Sequence, residues 1–244
     1  MMGCKDESRI AFIQFHQNYS YEDFIMGYKP KDNGFELRNG FFYQFCQKAS
    51  NAPDKDFFFI IDEINRGNLS KIFGELLMLI ENEYRGTKIK LAYNELLFTV
   101  PQNVYIIGTM NTADRSLAMI DYALRRRFSF FDMEPSFGVE CFKKYQDSLQ
   151  NETFNELIEE IQKLNKEIRE DASLGNGFCI GHSYFCNLKN CDEDWIQEII
   201  EFEILPMLQE YWFDEQNKVK KWRLNLRKDR KSTRLNSSHV SQPR

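Results

Sequence analysis

Three polar clusters follow apolar stretches or end a helix, at positions where they could do chemistry. The first is Asp62-Glu63, which follows five large apolar residues, Phe57 to Ile61. An unbroken run of that length predicts a strand buried on both faces, as in a parallel sheet. The carboxyl ends of such strands are where α/β sheets bind ligands. One carboxylate there can hold Mg²⁺, usually through water, while its neighbour orients a nucleophilic water. A charged strand end with no further role gives the same pattern. The second cluster is Thr109-Met110-Asn111, after the apolar run Val104 to Gly108. Beside the first strand, Asn111 could hydrogen-bond an attacking water or a terminal phosphate; as a turn residue it would bond its own backbone instead. The third is Arg125-Arg126-Arg127. Cations ending a helix complement its dipole. A planar, always-charged guanidinium can also stabilise charge on a transferring phosphoryl group of a neighbouring subunit.

These clusters need elements to position them. Ile10 to Phe15 predicts a buried strand, followed by the polar and aromatic stretch His16 to Tyr28 and a turn-rich segment through Pro30, Gly34 and Gly40. Phe41 to Ala49 reads as a helix broken by Asn51, Pro53 and Asp54. A helix is predicted from about Asn68, its N-cap, to Asn82, because Leu69, Ile72, Phe73, Leu76, Leu77 and Ile80 fall on one face. Ile89 to Leu91 and Leu97 to Val100 flank a polar turn and suggest a hairpin. Val104 to Gly108 is a second buried-type strand, Ser116 to Arg126 a helix and Phe128 to Met133 another strand, with a boundary at Pro135. Beyond it the pattern is helical. Phe154, Leu157, Ile158, Ile161, Leu164 and Ile168 form one stripe; Trp195, Ile199, Phe202 and Leu205 begin another that Pro206 kinks or divides; the Gly-rich Leu174 to Tyr184 lies between. Strands alternating with helices, then helices alone, predict an α/β core with an appended helical lid.

Composition narrows the function. The chain has 244 residues, 42% hydrophobic and 28% charged, enough to bury a core. Its 32 Lys and Arg against 37 Asp and Glu argue against a surface dedicated to coating nucleic acid. No apolar run approaches the roughly 18 residues of a membrane span, and the N-terminus has no apolar secretory core. Six cysteines without a C-x-x-C pair read as reduced cytosolic thiols, so a cytoplasmic chain is expected. Residues 229–244, DRKSTRLNSSHVSQPR, lack apolar periodicity, and their first eleven resemble a translated sequencing adapter. Setting them aside leaves 28 cations and 36 acids, a charge of −8, and only His16 and His182 as histidines.

Taken together, Ile61-Asp62-Glu63-Ile64-Asn65-Arg66, Leu69 to Glu75, Met110-Asn111-Thr112-Ala113-Asp114-Arg115-Ser116 and Ala123-Leu124-Arg125-Arg126-Arg127-Phe128 resemble the McrB family. Gln14-Phe15-His16-Gln17, Tyr19 to Phe24 and Gly181-His182-Ser183-Tyr184-Phe185 extend the likeness over nearly all of residues 10–228. The resemblance implies an AAA+ P-loop NTPase core followed by a helical lid. It implies a ring, usually a hexamer, that hydrolyses GTP or ATP with Mg²⁺ and drives a McrC-like nuclease in a modification-dependent restriction system. Carried over, Asp62 serves Mg²⁺, Glu63 is the water-orienting base and Asn111 the sensor. Asp114 and Arg115 lie near the water and the subunit interface; Arg125 and Arg126 are the trans fingers, with Arg127 facing solvent. Asn65 and Arg66 join the nucleotide side, Arg66 as a second interface cation or a salt bridge, and His182 either approaches the nucleotide or is structural. No G-x-x-x-x-G-K-[ST] occurs, so the phosphate-cradling loop is expected upstream. The DNA-reading domain is expected upstream as well, outside this chain. The expected layout is a partial α/β subdomain at 1–134, a lid at 135–228 and the adapter-like tail at 229–244. Two further readings are an ATP-driven MoxR or dynein-related remodelling module, and an inert ring-interface fragment.

Overall fold

The computed structural model describes residues 6–111, 113, 125–186 and 191–227. The chain divides into two compact units, Met1–Phe131 and Asp132–Arg244.

The first unit is built on a parallel sheet of β1 (Ile10–Gln14), β4 (Phe57–Asp62) and β7 (Val104–Gly108), in the order β1-β4-β7. Registers Ile10↔Phe58↔Tyr105 and Ala11↔Phe59↔Ile106 put alternate residues of all three strands on opposite faces. One face carries Ala11, Phe59 and Ile61 into the core. The other is not closed over among the described residues: Phe12 is 63% exposed, and Phe58 stacks on the exposed Tyr105. The expectation of strands buried on both faces therefore holds for one face only, and β1 alternates because its second face has no described layer against it.

Beneath the covered face, α2 (Phe41–Ser50) follows as anticipated and buries Phe42, Phe45, Cys46 and Ala49 at helical spacing. Phe42 stacks on Phe24, with ring centroids 4.7 Å apart, and meets Phe59 edge-on at 4.9 Å. Aromatic pairs in these geometries add about 0.5–1.5 kcal/mol each beyond their buried area. Phe24 belongs to the short helix α1 (Tyr21–Phe24), capped by the Ser20 hydroxyl. The segment read as turn-rich is instead a hairpin, β2 (Met26–Lys31) with β3 (Gly34–Asn39). Its turn, Asp32-Asn33-Gly34, is a hairpin signal that the scattered Pro and Gly obscured.

The helix expected over 68–82 changes character midway. Asn68 caps it, accepting the Lys71 N–H at 3.0 Å, and α3 (Leu69–Phe73) is α-helical. At Gly74 the backbone turns to φ +50, which favours glycine, and Gly74–Ile80 continues as a 3₁₀ helix. Three residues per turn replace 3.6, so Phe73, Leu76 and Leu79 line up in the core while Leu77 is only half-buried. The next hairpin, β5 (Ile89–Lys90) with β6 (Leu97–Phe98), lies where it was expected. Residues 128–133 are not a strand. No described strand pairs with them, and without a ladder partner Phe131 and Met133 stand exposed.

The second unit is helical in its described residues. It comprises α4 (Glu140–Leu149), α5 (Glu152–Glu170), α6 (Glu193–Glu198), α7 (Leu205–Tyr211) and α8 (Gln216–Arg227). The stripe Phe154, Leu157, Ile158, Ile161, Leu164 and Ile168 of α5 is buried throughout. Buried Asn165, on the same helix, accepts the Ile180 N–H at 2.7 Å and donates to the Ile180 carbonyl at 2.9 Å. The second stripe is corrected. Ile199–Ile204 is a π-helix between α6 and α7, and its wider turn rotates Phe202 out to 75% exposure while Ile196, Ile200 and Ile204 face inward. Pro206 has no N–H for the Phe202 carbonyl, which is where the ladder must adjust. No described helix is long and apolar enough to cross a membrane.

Candidate functional site

The carboxyl ends of β4 and β7 meet side by side. Thr109 N–H donates to the Ile61 carbonyl and Ile64 N–H to the Thr109 carbonyl, both at 2.9 Å, so the two chain exits are knitted together. Gly108 allows this approach: a Cβ there would lie 2.7 Å from Ile64 Cδ1. The Thr109 hydroxyl donates to Asp62 Oδ1, aiming that carboxylate at the second strand end. Phe15 N–H, just past β1, donates to the Asp62 carbonyl at 2.9 Å. Asp62 is thus held by both neighbouring strands.

Glu63 follows in the left-handed region at φ 51 and ψ 45. A non-glycine residue held there stores about 1–3 kcal/mol, and such strain clusters at functional sites. Its side chain is 18% exposed; Oε2 is buried, accepts no hydrogen bond among the described residues, and faces Arg66 Nε at 3.3 Å. Asn65 Oδ1, in the same loop, is a second buried acceptor without a hydrogen-bond donor among the described residues. Buried acceptors without a hydrogen bond are costly, and a hydrated cation, whose waters donate, would satisfy them. The residues present therefore fit a hydrated cation such as Mg²⁺, with Asp62 as the group that would hold it through water and Glu63 and Asn65 beside that water. No described cluster of three His, Cys, Asp or Glu could bind a metal on its own.

Asn111 emerges beside this loop, in the segment that leaves β7. Its Oδ1 accepts the Ala113 N–H at 3.0 Å, the turn-type contact, which leaves the Nδ2 side as the part that can donate to a ligand. Asp114 and Arg115 lie outside the described residues, as does the helix expected from Ser116 except for Arg125 and Arg126. Arg125 and Arg126 are exposed. Arg127 departs from expectation: its side chain is only 15% exposed and Nη2 pairs with Glu81 Oε1 at 2.7 Å, because the end of the 3₁₀ helix presents that carboxylate. Arg66 bridges to Glu63. In the second unit, His182 Nδ1 accepts the Ser136 N–H at 3.1 Å, and its ring packs edge-on against Phe137 and Phe142. That geometry is structural. Thr109 was missed as a site residue; its position two residues before Asn111 at a strand end was the available signal.

Behind the site, Glu75 accepts the Tyr21 hydroxyl at 2.7 Å and the Ala92 N–H at 3.0 Å, joining the 3₁₀ helix to α1 and to the second hairpin. Burial and then the Glu75 carboxylate push the Tyr21 phenol well above its ordinary range, so it stays a donor.

A parallel sheet with acidic and amide residues at adjoining strand ends, together with a separate helical unit, defines an AAA module with its lid. Residues 4–128, just over half the chain, match the family described as AAA domain (dynein-related subfamily). Residues 156–220 match the McrB alpha-helical lid domain. The chain belongs to the McrB family of AAA proteins. It is 50% identical over 234 residues to the "Type IV methyl-directed restriction enzyme EcoKMcrB subunit" of Escherichia coli (strain K12), an alignment covering 91% of this chain and 51% of that protein. It is 26% identical over 245 residues to the "Type II restriction enzyme BsuMI component YdiS" of Bacillus subtilis (strain 168), covering 81% and 68% respectively. The chain thus spans about half the length of the first of these curated relatives.

Proposed function

We propose that this chain is the nucleotide-hydrolysing motor portion of a restriction complex. It would use GTP or ATP with Mg²⁺, work as a ring of copies, and drive a McrC-like nuclease. The observation that carries this reading is the meeting of the β4 and β7 strand ends, where Thr109 bonds to Asp62, with Glu63 and Asn111 following in the two chain exits. Its kinship with two restriction-enzyme components supports the restriction setting. In this reading Asp62 holds the hydrated cation. Glu63 swings off Arg66 to orient the attacking water, Asn111 donates to the water or the terminal phosphate, and exposed Arg125 and Arg126 serve the neighbouring copy. Bound Mg²⁺ would supply charge neutralisation for the phosphates. Asp114 and Arg115 are assigned to the water and the subunit interface by resemblance alone.

The test is hydrolysis of GTP and of ATP by the natural full-length protein, alone and with its nuclease partner. GTP turnover stimulated by the nuclease supports the restriction motor. Strict ATP turnover indifferent to a nuclease favours a remodelling module, a reading that the dynein-related family match keeps in play. No turnover with either nucleotide would favour an inert interface chain, which the absence of a G-x-x-x-x-G-K-[ST] segment in these residues motivates.

A further inference from the structure

The geometry points to the Glu81–Arg127 ion pair as the device that positions Arg125 and Arg126 for a neighbouring copy, an inference that rests on the trans-finger reading above. Three adjacent arginines behave differently. Arg125 and Arg126 are exposed, while Arg127 is turned into the protein and paired with Glu81 at 2.7 Å. The residue after it, Phe128, packs against the core of the first unit. The chain immediately following the two exposed cations is therefore pinned by the charge-assisted bond to Glu81 and by the apolar packing of Phe128.

Glu81 is itself braced. It caps the 3₁₀ helix that ends at Ile80, and its N–H donates to the Met78 carbonyl at 3.2 Å. Four residues on, half-buried Arg85 donates to the Ile80 carbonyl at 3.2 Å and to the Val104 carbonyl, at the start of β7, at 3.0 Å. The support for Arg127 thus runs through one continuous segment. It starts at the Asn68 cap beyond Glu63, passes along α3 and the 3₁₀ helix to Glu81, and is tied to the sheet that carries Asp62 and Asn111. A strut of that kind fixes where this copy's exposed arginines stand relative to its own site. Arg127 is a positioning residue, because its side chain is turned inward onto Glu81 and acts through its two exposed neighbours.

The experiment uses the full-length protein with Glu81→Gln, which keeps shape and removes the charge. A misplacement of about 1 Å costs on the order of 100-fold in rate, so kcat falls about 10- to 100-fold while KM for nucleotide stays within about twofold. The decisive readout is mixing. Glu63→Gln has intact arginines and a dead site; Glu81→Gln has an intact site and misplaced arginines. Chance pairing in a mixed ring places Glu63→Gln arginines against a Glu81→Gln site at about a quarter of interfaces, so hydrolysis rises well above either variant alone. The charge exchange Glu81→Arg with Arg127→Glu recovers part of kcat. Wild-type kcat in Glu81→Gln overturns the inference and leaves the finger reading standing. A slow Glu81→Gln that mixing does not rescue also overturns it, since the pair would then serve stability alone. A wild-type protein without turnover overturns both.

Discussion

Replacing Asp171 with alanine should unfasten the second unit. Asp171 ends α5 and its carboxylate gathers four donors: Lys218 Nζ at 2.8 Å, Trp212 Nε1 at 2.9 Å, and the Ser173 N–H and hydroxyl at 2.8 and 2.7 Å. The side chain is 7% exposed. Removing one partner of a buried pair costs about 3–5 kcal/mol, and a buried donor left alone costs about 1–3 kcal/mol. Lys218 is one-third exposed and keeps Glu215 at 2.9 Å, so its charge is partly rehydrated and repaired. The indole N–H of buried Trp212 has no such recourse. The lower end, about 3 kcal/mol, is expected. For a unit of this size that is a fall in melting temperature of roughly 12–24 °C. All three tryptophans, Trp195, Trp212 and Trp222, belong to this unit, so intrinsic tryptophan fluorescence follows its unfolding selectively. Lys218, then Ser173 and Trp212, hold the Asp171 carboxyl far below the ordinary carboxylate range. A depressed folded-state value stabilises above the unfolded value, about pH 4, and that stabilisation is lost as pH falls below it. Wild type should therefore lose melting temperature on acidification below about pH 4 more steeply than Asp171→Ala does. Pairing Asp171→Ala with Lys218→Met should recover part of the loss. A melting temperature for Asp171→Ala within about 3 °C of wild type would refute the reasoning.

Other outcomes follow from single contacts. Asn165→Ala leaves both the N–H and the carbonyl of Ile180 without their partner, so the same fluorescence melt should show about 2–3 kcal/mol of destabilisation. Gly74→Ala must hold φ +50 and places a Cβ 3.1 Å from the Tyr21 ring, so the first unit should lose about 1–2 kcal/mol, measured by amide exchange in α3.

What the chain reveals before folding depends on how local the physics is. Phe57 to Ile61 and Val104 to Gly108 were legible as strands because unbroken apolar runs leave little alternative. The stripe of α5 was legible because its helix is regular. The 3₁₀ turn after Gly74 and the π turn before Pro206 were not, since each changes the period on which a stripe is judged. Residues 128–133 have a strand's composition, but a strand also needs a neighbour, and composition cannot supply one. At the site, Asp62, Glu63 and Asn111 stood out by residue type at strand ends. The left-handed backbone of Glu63, the bond from Thr109 and the inward turn of Arg127 toward Glu81 depend on tertiary placement.

If Glu63 orients the water for nucleotide hydrolysis beside Asp62, removing its carboxylate stops turnover and spares binding. Glu63→Gln in the full-length protein, assayed for steady-state phosphate release and for binding of Mg²⁺-nucleotide, tests it most directly. Release should slow by about 100-fold or more, with affinity within about twofold of wild type. Phosphate release at the wild-type rate would contradict it.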